Sequence, residues 1–451
     1  MALSREAAKQ ALIAFQRFGL GAKPGGAAKI GGDAKAAIRA EVQTRDIALI
    51  NKPDLPSYVR ACADSQKEFE HAEGLRQLEL NARFDKHMAP EIGFVERLVV
   101  FWTNHFAMSV NKHETVRGTI GQWERDVIRA HVLGRFADML HATIQHPAML
   151  NYLDNADSIG PNSPKGKQTG LGFNENLARE VLELHTIGSG SGYSEQDVTA
   201  LAKILTGWSY VRGWESDYGL NGGNAKNRGQ FIYRDNCHEP GSIRLMGRTY
   251  SAVGKQQMKL VLNHLAVHPA TAEHIAFKLV RHFITDLPTP AMVNPLTRTF
   301  LHTGGNLKAL ALALLDLPEA WSTPLAKFRT PYEQTVAQYR ALGVRYPDDQ
   351  FWVMAEPLRT LHQIPWEAPS PEGFSDETPT WLNPDAMRVR LDVAQTTSWI
   401  CIGRYEGNAV QLADRLFDAA LSPATRQAVA AMGRTNGALT ILLTSPEFQR
   451  R

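Results

Sequence analysis

Between Glu91 and Ala107 two apolar rows run along one helix, and no other stretch limits the fold as strongly. Phe94, Leu98, Phe101 and His105 form one row at i, i+4, i+7, i+11; Val95, Val99, Trp102 and Phe106 form the other. A helix apolar around so much of its girth must be enclosed by other elements. The chain has the means, with 451 residues of which 43% are hydrophobic. Helical spacing recurs on both sides of it, so the expected class is all-α: a single large helical domain over 1–451. One small β-hairpin is expected near 230–246, together with long Pro/Gly-rich loops.

Helical stretches are expected over residues 2–16, 33–49, 123–131, 135–145, 254–268, 269–285, 306–317 and 331–343, and again from Asp385 to Arg451. Ser422, Thr435 and Ser445 stand at helix starts. Tyr58 to Met88 is long and periodic with Glu, Lys and Arg interleaved, which reads as a solvated helical face. Gln230–Tyr233 and Arg244–Met246 supply the hairpin strands. The proline-rich tract 346–383, with Trp352, Trp366 and Trp381, reads in part as a covering loop.

Composition removes several classes of function. A net charge of +3 gives no electrostatic reason for a nucleic-acid or membrane-surface partner. Cys62, Cys237 and Cys401 are odd in number and widely spaced, which argues against a disulfide framework or a zinc ribbon. No stretch is apolar enough to span a membrane, and Arg5, Lys9 and Arg17 interrupt any leader-like run. The expectation is a cytoplasmic protein, with co-export on a signal-bearing partner as the periplasmic alternative.

The polar chemistry concentrates at Phe173–Gly207. Leu177, Val181 and Leu184 form an apolar row on one helix, and Asn176, Glu180 and Glu183 a polar row at the same spacing. Arg179 can pair with Glu175 or Glu183. Two carboxylates one turn apart repel when buried unless an arginine, a proton or a metal stands between them. The row is therefore either a salt-bridged layer around Arg179 or a catalytic or metal-binding set. His105 lies on a buried row beside Trp102 and Asn104, either as a core histidine or as part of a site. Trp208, Tyr210 and Trp214 follow the next helix. Cys237-His238 sits in a polar loop, where a thiol next to an imidazole suggests a nucleophile, a ligand pair or a partner for oxidative cross-linking.

Several blocks carry a resemblance: Phe101-Trp102-Thr103-Asn104-His105-Phe106, Met149 to Asn155, Asn174 to Glu180, Glu183-Leu184-His185-Thr186-Ile187-Gly188, Tyr193 to Val198, and Leu205-Thr206-Gly207-Trp208. With His238-Glu239-Pro240-Gly241, His268 to Ala272 and Trp381 to Pro384, they resemble the bacterial domain-of-unknown-function family number eighteen-hundred over nearly the whole chain. The resemblance implies a mostly helical fold and a sulfatase-like partner protein of unknown function. It assigns no reaction. The chain departs from the pattern in lacking an export signal, in Phe173 where proline is common, and in Glu239 where aspartate is usual.

The residues support three functional readings. The first is an oxidoreductase acting on a small-molecule substrate. Glu180 or Glu183 would be the base, and His105 or His238 would orient a ring or ligate a metal. Trp102, Trp208, Tyr210, Cys237, Arg179 and Asn176 would surround a protein-derived quinone or thioether cofactor, or a transition metal. The second is a metal-dependent hydrolase built on His105, Glu180, Glu183 and His238. The third is a non-catalytic binding or export-coupled module whose polar helix braces the core.

Overall fold

The computed structural model describes residues 3–65, 69–212, 229–251, 254–344, 351–402, 408–433 and 435–451. It is predominantly helical with two small antiparallel sheets. Seven of the helices are labelled in chain order: α1 (Arg5–Ile13), α2 (Phe69–Met88), α3 (Phe94–His105), α4 (Glu114–Trp123), α5 (Asn176–Glu180), α6 (Pro269–Phe283) and α7 (Pro331–Leu342).

The two apolar rows make α3 central. Phe94 meets Phe18 and Phe283 edge-on at 5.5 and 5.6 Å between centroids, and Trp102 packs on Phe136 at 5.7 Å. One continuous apolar cluster runs from Ala11, in α1, to Phe448 around these contacts. Gly121 leaves room for α2 against α4, and Gly118 does the same for the preceding helix, Tyr58–Ser65. A Cβ on either would fall 2.3 Å from the Cβ of Ser65 or Glu79.

The long charged helix departs from the solvated face expected over Tyr58–Met88. Arg76, Glu79, Arg83 and His87 recur at helical spacing and are all buried. Their partners come from far along the chain. Arg83 Nε donates to Glu124 at 3.0 Å, Glu79 pairs with Arg125 at 2.6 Å, and the Tyr332 hydroxyl lies 2.7 Å from His87 Nδ1. Buried arginines elsewhere act as staples on loop carbonyls. Arg340 alone donates to those of Gly21, His87, Pro90 and Glu91 at 2.7–3.1 Å.

Three helices widen into π-turns: Ala14–Phe18, Glu124–Ile128 and Val181–His185. Each turns a polar side chain inward, namely Arg17, Glu124 and His185, all at most 2% exposed. An inserted residue of this kind costs helix geometry and recurs at functional sites.

The expected hairpin strands exist but do not pair with each other. β1 (Trp208–Tyr210) pairs with β2 (Phe231–Tyr233), and β3 (Ile243–Leu245) with β4 (Arg248–Tyr250). Met246 and Gly247 both have positive φ, the backbone that a two-residue hairpin turn needs. A further helix, Pro290–His302, carries Pro295 inside it, and its prolines hide it in the sequence. The tract expected as a covering loop contains the helices Phe351–Thr360 and Thr378–Trp381, and the irregular part between them is 361–377.

Candidate functional site

The end of α3, the π-turn after α5, the middle of α6 and the loop 372–376 meet at one place. The π-turn explains how. At a strict helical period Leu184 would be buried and His185 would not. The extra residue reverses this, so His185 is fully buried while Glu180, Glu183 and Leu184 stay at the edge. His185 then lies with its ring centroid 6.3 Å from His105, and His274 of α6 is 6.2 Å from His105 on another side.

These imidazoles are short of partners. His105 Nε2 lies 3.2 Å from the His185 carbonyl, but His105 Nδ1 and both ring nitrogens of His185 have no hydrogen bond among the described residues. His274 Nε2 lies 3.1 Å from the Leu184 carbonyl. A buried polar group left unpaired costs about 1–3 kcal/mol. Burial, then the nearby Lys278 and His274, hold His105 well below its ordinary pKa and take His185 to about 3. All three rings are therefore neutral at pH 7. Lys278 is half-buried, has no ion pair among the described residues, and is pushed below the usual lysine range by burial, against the pull of Asp376 and Glu372.

The carboxylates behave differently from one another. Arg179 binds Glu183 at 3.2 Å and Glu195 at 2.7 Å, which makes it a clamp on its own face. Glu180 is outside that clamp. Partial burial, with Glu183 and Glu372 nearby and only Arg179 opposing them, raises its carboxyl to about 7. Tyr152 lies within electrostatic reach of it, and its phenol is raised to about 12 by burial and by Glu180. Asn176 is further out, with its amide 3.4 Å from Asp154.

The loop is fastened to α3. The Asn104 side chain donates to the Phe374 carbonyl and accepts from the Phe374 N–H, both at 2.8 Å. Gly373 has φ +90°, and a Cβ there would meet the Asn104 carbonyl oxygen at 2.6 Å. Gly373→Ala is expected to cost about 1–3 kcal/mol through backbone strain and to free the loop, seen as a lower Tm and new proteolytic cleavage within 361–377. Behind the loop, His282 Nδ1 bonds Asp376 at 2.6 Å and Arg97 stands 3.2 Å from its Nε2. Neither His282 nor Asp376 is marked by sequence, since 94 residues separate them.

Trp102 stays with this cluster, and the other expected site residues lie in other surroundings. Trp102 is enclosed beside Phe101, His105 and Phe106. Trp208 packs on Phe231, and Tyr210 donates to Asn151 at 3.1 Å. His238 bonds the Thr206 carbonyl at 3.0 Å and packs on Tyr233, while Glu239 accepts from Asn162 at 2.6 and 3.0 Å. The Cys237-His238 loop thus fastens the segment 158–163 and shares no partner with His105. Burial raises the Cys237 thiol. Trp214 lies outside the described residues.

A model of the family described as "Protein of unknown function (DUF1800)" matches residues 13–450. The chain belongs to this family. No curated protein and no solved structure matches it. The DUF1800 assignment covers every element of the site above, from α3 to the 372–376 loop, and carries no reaction with it. Among the described residues no group of three His, Cys, Asp or Glu side chains is placed to hold a metal ion. Among the described residues no helix is long and apolar enough to cross a membrane.

The buried imidazoles give this DUF1800 chain a directional pH dependence. His87 and His282 fall to about 4, as does His274, and His146 and His185 to about 3, in each case chiefly by burial. A histidine with a depressed folded pKa binds its proton first in the unfolded chain, so its stabilisation is complete above pH 6.5 and lost as pH falls. Glu180 and Glu79, raised to about 7, act in the opposite sense. The histidines outnumber them, so stability is expected to fall steeply between pH 6.5 and 4, by about 1.4 kcal/mol per net proton per pH unit. Urea unfolding at stepped pH measures it.

Proposed function

We propose that the chain is an enzyme with an acid–base site at the π-turn. The observation that carries this reading is His185. The π-turn buries its ring beside His105 with neither nitrogen partnered, while keeping Glu180 half-buried at the rim. At the other two π-turns Arg17 is tied to backbone carbonyls and Glu124 to buried arginines, whereas both ring nitrogens of His185 lack a partner among the described residues.

The roles follow from the environments. Glu180, outside the Arg179 clamp and raised to about 7, is the base that takes a proton from a bound small polar molecule. The neutral rings of His105 and His185 accept or donate hydrogen bonds without carrying charge. Lys278 supplies the cation opposite Glu372, on the loop that Asn104 holds in place. Groups of opposite demand placed side by side are a mark of catalytic sites.

An oxidoreductase version of the same site is favoured by one electrostatic neighbour. Tyr152, an oxidisable ring, is within reach of Glu180. Intact mass and peptide mapping would find a discrete mass change on Tyr152 in that version, and none in the plain acid–base one.

The test is a turnover screen of a compound library by mass spectrometry, comparing wild type with Glu180→Gln. Turnover of one substrate class by wild type and not by the variant supports the reading. Equal turnover by both proteins, or none by wild type across the library, counts against it.

A further inference from the structure

We infer that the cavity under the 361–377 segment is a binding site for a small uncharged molecule bearing a carbonyl oxygen. It does not depend on the acid–base reading. The cavity measures about 60 Å³ and lies between α3, α4 and α7, roofed by Trp366 and Phe374. That is room for about four water-sized positions, or a ligand of about four heavy atoms.

Two lining groups have donors that no described residue accepts. Arg83 is 4% exposed and its Nη1 has no hydrogen-bond partner; the Trp123 indole Nε1, fully buried, has none either. The rest of Arg83 is fixed. Its Nε is on Glu124 at 3.0 Å, and its guanidinium lies over the Tyr332 ring at 4.6 Å and near the Trp366 ring at 5.7 Å. The free end is thus held in place by three neighbours. A carbonyl oxygen has two lone pairs and can accept from both donors.

Charge decides between a neutral ligand and an anion. The Arg83 cation is already balanced by Glu124. Glu333 and Asp376 also line the cavity, Glu333 paired with Arg97 and Arg451 and Asp376 with His282. A carboxylate entering here would be desolvated and would find no cation without a partner of its own. Val100, Ala107, Met108 and Ile120 suit a short apolar body. The ligand class is therefore a small amide or ketone.

Acetamide and acetate share one shape and differ in charge, which makes them the probes. Saturation-transfer NMR on the full chain is expected to show saturable millimolar binding of acetamide and at least tenfold weaker binding of acetate. Trp123→Phe, which keeps the ring and removes the donor, should weaken acetamide about tenfold. Ala368→Leu, which fills the cavity from its roof, should abolish binding in a protein with unchanged circular dichroism. The inference is overturned if acetamide does not saturate, or if acetate binds equally well. Wild-type binding by a folded Trp123→Phe or Ala368→Leu protein would also overturn it.

Discussion

Arg129→Met is expected to destabilise the protein by about 3–5 kcal/mol, the cost of leaving a buried charge without its partner. Arg129 Nη1 lies 2.9 Å from Glu96 and 3.1 Å from the Ala48 carbonyl, and Nη2 lies 3.2 Å from Glu124. Both carboxylates are buried at the heart of the α2–α3–α4 packing. Glu124 would keep Arg83 and the Trp366 indole at 3.0 Å. Glu96 would keep only His87, 3.1 Å away and neutral because burial takes its pKa to about 4. The sign with pH is set by Glu96. Burial works against the Glu96 charge, but Arg129 and His87 bring its pKa to about 2. Its stabilisation is therefore present above the unfolded carboxylate value and lost as pH falls. In Arg129→Met, Glu96 takes up a proton more readily, so the penalty should shrink in acid. Adding Glu96→Gln to Arg129→Met should restore part of the loss at pH 7. Urea denaturation of the single and double variants measures both effects.

The second large effect belongs to the site. Glu180→Gln is expected to lower kcat by about 10²–10⁴-fold, the usual contribution of a positioned base. Glu183→Gln should cost far less, because Glu183 is held in the Arg179 clamp with Glu195. Glu180→Gln should also raise stability at alkaline pH. A carboxyl with a raised folded pKa favours the native state only while protonated, so that support is lost as pH rises through about 7. Removing the charge is expected to gain about 1–2 kcal/mol at pH 8, with solvent screening of this half-exposed group allowed for. Lost activity with gained stability is the pattern of a functional residue. A brace would show the opposite, losing stability with no change in activity.

The sequence carried the helical class because apolar spacing is a local property, and the two rows of α3 needed no partner to be read. It also carried the polar row Asn176, Glu180, Glu183 and the Arg179–Glu183 pair, which lie within one or two turns, but not Glu195, which reaches Arg179 from the next helix. His185 could be named as an imidazole on that helix, but the π-turn hid its burial, since one inserted residue moves every later side chain by about a quarter turn. The charges of α2 were hidden because Arg83 meets Glu124 41 residues away and His87 meets Tyr332 245 away. A buried ion network and a solvated face have the same local spelling. Lys278, Glu372 and Asp376 lay outside every polar cluster and join the site only through the fold. The Asn104 amide was the available clue, because a polar residue ending a helix so apolar needs a partner, and the partner is the loop at Phe374.

The most direct measurement is the titration of the Glu180 carboxyl by ¹³C NMR, assigned by the resonance missing in Glu180→Gln. The acid–base reading predicts a midpoint near pH 7, moving toward the ordinary carboxylate value when Gly373→Ala releases the Glu372 loop. A midpoint near 4.5 in the intact protein would contradict it.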